Sequence, residues 1–183
     1  MPLLQSLTSH KPEEIVDALF KIGGSPDAPG EGSLVAVLEE LMAHEDVQVR
    51  EAVAVQCVLR RRLPKLFPAV LHQLKGAESS PSVLIPLIDG ATAIVLHGGG
   101  DKRELARTLA NYVRRPTEDD EVRGTAYLCL LKLSNRISAK EYARSPAKLS
   151  EMSVDQDVVD HAWKTPGGSE RASRTRQRDE GSS

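Results

Sequence analysis

A chain of 183 residues has room for one domain with a proper core and not for two generous ones. Its formal net charge of −2 provides no general attraction to nucleic acid or an anionic membrane, so any basic patch must be local. Aromatic residues at 3% leave few rings for base stacking or interface anchoring. The opening MPLLQSLTSHKP has neither the basic region nor the apolar run of a signal peptide. The longest apolar stretch, VLIPLIDGATAIVL (83–96), is broken by Pro86, Asp89 and Gly90 and falls short of the roughly 20 residues that span a bilayer. A cytoplasmic protein without membrane contact is expected, with Cys57 and Cys129 reduced and acting as small hydrophobes in apolar runs.

Residues 11–22 place Pro12, Glu13 and Glu14 in a first helical turn, followed by Ile15, Val16 and Phe20 at helical spacing. Gly23 and Gly24 are expected to stop that helix, and SPDAPGEG (25–32) reads as a loop. Ser33 is placed to cap a helix that buries Leu34, Val37, Leu38, Leu41 and Met42 and leaves Glu39 and Glu40 wet. Asp46 is placed to cap the next, which runs to about Arg62 and buries Val49, Ala52, Val53 and Cys57. LPKLFPAVLHQLKG (63–76) predicts a short helix entered through prolines. SSPSVLIPLIDGATAIVLHGGG (79–100) predicts another, capped by Ser80 and kinked by Pro86 and Gly90. Asp101 with Glu104, and Ser138 with Glu141, have capping-box spacing, and DDEVRGTAYLCLLKL (119–133) opens a further helix. No segment alternates with period two for long, so the fold class is all-α.

The run DVQVR (46–50) recurs as DDEVR (119–123), at about twice the period of a long two-helix repeat. SPSVL (80–84) holds the intermediate position, and DQDVV (155–159) lies about one period beyond the second copy. The best single unit is LVAVLEELMAHEDVQVREAVAVQC (34–57), and LFPAVLHQL (66–74) has the form of a proline-containing first helix. This pattern resembles the HEAT-repeat family over roughly residues 33–163. The resemblance implies a short right-handed α-solenoid of about four HEAT-like helical pairs at 33–163. A capping helix and loop (1–32) precede it and a tail (164–183) follows. The tail's lack of apolar residues predicts disorder. The family pattern further implies an Asp–Arg ladder between repeats through Asp46, Arg50, Asp119 and Arg123, with Val49 and Val122 in the stacking core. Leu84, in the Arg position, interrupts that ladder.

Motifs for chemistry are weak. HGGG (97–100) matches the oxyanion loop of some esterases, but the chain has no G-x-S-x-G elbow, and a glycine stop before the Asp101 cap is the simpler reading. His44-Glu45 invites comparison with the di-iron HEAT-repeat hydroxylases, yet His10, His72, His97 and His161 are not followed by Glu. No phosphate-binding G-x-x-x-x-G-K-[ST] loop is present. No catalytic residue, metal or cofactor is therefore expected. Arg60, Arg61 and Arg62, with Arg114 and Arg115, end predicted helices, where cations complement the dipole; the functional alternative is an edge that meets an acidic surface or phosphate.

Helical stacks of this kind hold another protein on an extended concave face. A non-enzymatic binding, adaptor, scaffold or inhibitor-type protein is the leading expectation, with Gln48, Glu51, Val55, Thr125 and Leu128 off the buried face as contact candidates. Nucleic-acid binding through the arginine edge is the second, with near-neutral charge and few aromatics counting against it. A HEAT-like lyase-type enzyme, or a subunit of one, rests on fold analogy alone.

Overall fold

The structure, a computed structural model, describes residues 2–24 and 31–161. Among these residues every regular element is helical. An N-terminal pair, α1 (Pro2–Leu7) and α2 (Pro12–Gly24), precedes α3 (Glu31–Leu41) and α4 (Val47–Val53). A π-helical stretch, Ala54–Arg60, continues α4 without a break. A 3-10 turn, Pro64–Leu66, leads into α5 (Phe67–His72). Then come α6 (Pro81–Leu96), α7 (Lys102–Arg114), α8 (Asp120–Leu133), α9 (Ala139–Tyr142) and α10 (Gln156–His161). The predicted tail lies outside the described residues, as does 25–30 of the predicted loop.

Capping explains most of the boundaries. Asp46 accepts from the Gln48 N–H at 2.7 Å, Asp101 from Arg103 and Glu104 at 2.8 and 3.0 Å, and Asp119 from Glu121 and Val122 at 2.9 and 3.1 Å. Asp155 repeats the arrangement with Asp157 at 3.0 Å, and Ser138 and Glu141 close both bonds of a capping box. Two boundaries differ from expectation. α2 runs through Gly23 and Gly24, and α3 opens at Glu31 so that Ser33 already lies within the helix. α6 is one helix with Pro86 and Gly90 inside it.

The expected Asp–Arg ladder is replaced by another linkage. Asp46 and Asp119 cap their own helices, while Arg50 reaches carbonyls of the turn that precedes α4 and Arg123 reaches the last turn of α7. Arg50 Nη1 donates to the His44 and Glu45 carbonyls at 2.8 and 3.0 Å, and Arg123 donates to the Val113 carbonyl at 3.2 and 3.3 Å. Arg50 Nε also donates to Glu78 Oε2 at 2.6 Å. Glu78 Oε1 in turn accepts from the N–H groups of Ser79 and Ser80, both at 2.8 Å. Glu78 thus closes the entry to α6 where Ser80 was expected to do so; the Ser80 hydroxyl makes no cap bond. Its side chain is 2% exposed and that of Arg50 19%. Burial pushes the Glu78 carboxyl up, but the guanidinium and the two main-chain N–H groups outweigh it and hold the carboxyl below its ordinary value.

The core follows from the order of packing. α2 lies on α4, the π-helical stretch on α6, and α6 on α8, while α7 backs α8. Val49, Val53, Cys57, Leu84, Ile88, Leu105, Leu109, Val122 and Leu130 are among the residues buried in one continuous cluster. Gly98 and Gly100 adopt positive φ of 89° and 83° between α6 and α7, so HGGG is the turn that ends α6 before the Asp101 cap.

Candidate partner-binding groove

α2 buries Ile15, Ala18, Leu19 and Ile22, a stripe that rotates Val16 and Phe20 away from the centre of the core. Phe20, expected on the buried face, is instead 53% exposed. Facing it, Gln48, Glu51, Ala52 and Val55 recur at i, i+3, i+4 and i+7 on one side of α4 and its continuation. In the π-helical stretch the hydrogen bonds skip an extra residue, as in Arg61 N–H to the Gln56 carbonyl at 3.3 Å. Gln56 and Arg60 join the same side, with Arg60 Nη1 donating to Gln56 Oε1 at 3.1 Å. Arg61 donates to the Ile22 carbonyl at 3.2 Å and ties the end of α2 to this helix. The result is an open groove of about 370 Å³ lined by Val16, Phe20, Gln48, Glu51, Ala52, Val55, Gln56 and Arg60.

Four of the sequence-predicted contact residues, Gln48, Glu51, Val55 and Arg60, therefore meet in one place. Thr125 and Leu128 do not. Both are buried, each at 7% exposed, and the chain after α9 folds back over α8. There the Ser150 hydroxyl donates to Asp120 Oδ2 at 2.5 Å, and the Tyr127 hydroxyl donates to the Ser153 carbonyl at 3.3 Å and accepts from the Asp155 N–H at 2.7 Å. A Cβ on Gly124 would stand 1.9 Å from the Ala147 carbonyl oxygen. Leu128 lies one turn further along that stripe of α8. Gly124→Ala is expected to cost about 2 kcal/mol despite the better helix propensity of Ala, and to expose the segment around residue 147 to limited proteolysis. A variant as stable as the parent would show that this segment does not press on α8.

The arginine edge is dispersed. Arg61 is committed to α2, and Arg62, at φ 53°, lies 3.4 Å from His97 Nε2. Arg114 donates to the Val159 carbonyl at 3.0 Å and to Asp160 Oδ1 at 2.6 Å, and Arg115 stacks on the Tyr112 ring at 5.4 Å. Burial pushes both thiols, Cys57 and Cys129, up to about 12, which disfavours the nucleophilic thiolate. Cys129 sits with Asp89 and Tyr142, whose hydroxyl hydrogen-bonds the same Asp89 oxygen at the junction of α6, α8 and α9.

Val16 and Phe20 were absent from the contact residues expected from sequence. Helical spacing flags both as apolar, but which of two adjoining stripes faces the core shows only in the fold, where Ile15, Ala18, Leu19 and Ile22 are the buried ones. No family model, curated protein or solved structure matches the chain. Among the described residues, no helix is long and apolar enough to cross a membrane.

Proposed function

We propose that this chain is a non-enzymatic protein-binding module, a short right-handed stack of about four HEAT-like helical pairs that grips another protein in the groove between α2 and α4. The observation that carries this reading is Phe20, a half-exposed ring over an apolar floor of Val16, Ala52 and Val55, rimmed by Gln48, Glu51 and Arg60. A buried aromatic anchor with a polar rim is the usual energetic centre of a protein interface, and a groove between two helices suits a partner helix laid along it. The stacked reading is supported by the recurring Asp cap at Asp46, Asp119 and Asp155 and by the succession of α4, α6 and α8 against one another.

Phe20→Asp is expected to leave the melting temperature within a degree or so, since the ring touches solvent, and to weaken partner binding by about 2 kcal/mol, roughly 30-fold. The test is recovery of the tagged chain and its Phe20→Asp variant from native lysate, each treated with nuclease. A stoichiometric protein that accompanies the parent and is lost with the variant supports the groove. Retention of that protein by the variant places the contact elsewhere, and loss of all bound material on nuclease treatment favours nucleic acid.

A further inference from the structure

A second groove, of about 350 Å³, lies between α7 and the residues that follow α5, and its chemistry is different. α7 carries Lys102, Arg103, Arg107 and Arg114 against one acid, Glu104, in a chain whose formal net charge is −2. The groove itself is lined by Lys75, Arg107 and Arg115, with Glu104 as its acid. Glu104 is taken by Lys75 in an ion pair. Arg107 and Asn111 have no hydrogen-bond or ion-pair partner among the described residues. The Arg115 guanidinium stacks on the Tyr112 ring at 5.4 Å, a contact that holds it in place and uses none of its N–H groups. Glu118 acts on Tyr112 from nearby and still leaves the lining net positive.

Arg107 and Asn111 stand one turn apart on one face of α7, about 6 Å along its axis, and Arg115, at the C-cap just beyond the helix, lines the same groove. A second helix with carboxylates at i, i+4 and i+8 presents acceptors at the same interval, and arginine forks match carboxylates in paired hydrogen bonds. We propose that this face of α7 binds an acidic helical segment of a partner protein. Single-stranded nucleic acid is the poorer occupant, because it needs rings on which to stack. Tyr112 is 2% exposed, with its hydroxyl bound to the Leu74 carbonyl at 2.9 Å.

The proposal is independent of the Phe20 groove and is tested with a defined probe: a fluorescein-labelled, alanine-based helical peptide with Glu at i, i+4 and i+8, titrated by the full chain at low salt. Binding is expected to weaken about tenfold in Arg107→Glu, the scale of one charge-assisted hydrogen bond. It should also weaken measurably in Arg107→Gln and Arg115→Gln, fall with added salt and stay unchanged in Phe20→Asp. Circular dichroism of each variant establishes that the helices are intact. The proposal is overturned if the peptide does not bind, if a peptide with Gln in place of Glu binds as well, if all three arginine variants bind like the parent, or if oligothymidylate binds more tightly than the acidic peptide at equal salt.

Discussion

Gly90→Val is expected to destabilise the fold by about 3 kcal/mol, near the upper end of the usual cost of overpacking. Gly90 is the point at which α6 touches the π-helical continuation of α4. A Cβ there would stand 2.7 Å from Val58 Cγ1, 2.8 Å from the Val58 carbonyl carbon and 2.9 Å from the Leu59 nitrogen. The first of these can swing aside. The other two are main chain, and moving them means moving a helix. The smaller substitution is the sharper test, because its sign is in question. In an exposed helix, Gly→Ala stabilises by about 1 kcal/mol, so a contact of this kind must reverse that gain. Urea denaturation of Gly90→Ala should give a lower midpoint at unchanged m-value. A higher midpoint would mean that a methyl group fits between the two helices.

Glu78→Ala should cost about 3 kcal/mol, within the range for breaking a buried ion pair from one side. The substitution strands the Arg50 Nε and removes the acceptor for two N–H groups at the mouth of α6, each of which then lacks its partner. The pH dependence separates charge from shape. The Glu78 carboxyl lies below its ordinary value in the folded chain, so its contribution is fully present above the unfolded value near 4.3 and is lost as pH falls through the folded one. Glu78→Gln keeps the shape without the charge. The gap in melting temperature between it and the parent should be widest at neutral pH and should narrow below about pH 4. A constant gap across that range would mean that the carboxylate gains nothing from Arg50.

The two positions also show where sequence reading succeeds and where it stops. Asp46, Asp101 and Ser138 were legible as caps because a cap is a local transaction between a side chain and N–H groups two or three residues on. Ser80 had the same local form and lost the role to Glu78, since only the folded chain brings Arg50 alongside and makes the carboxylate the better acceptor. Gln48, Glu51 and Val55 were legible as an outward stripe of α4 for the same local reason. Thr125 and Leu128 occupy comparable positions on α8 yet are buried, and the segment that packs on α8 from beyond α9 carries no periodic signal of its own. The π-helical stretch was likewise invisible: AVQCVLR reads as an ordinary helix, and its widened hydrogen-bond register shows only in the fold.

The segment that folds back over α8 has a consequence for how the protein is made. Through α8 the elements pack largely on near neighbours in chain order, α2 on α4, the π-helical stretch on α6, and α6 and α7 on α8, so most burial keeps pace with the ribosome. α8 emerges before residues 145–155, and until these follow, the side of α8 that carries Asp120, Gly124 and Tyr127 lacks its cover. Whatever happens to the nascent chain in that interval, whether pausing, chaperone capture or misassociation with another copy, should be felt at α8 first.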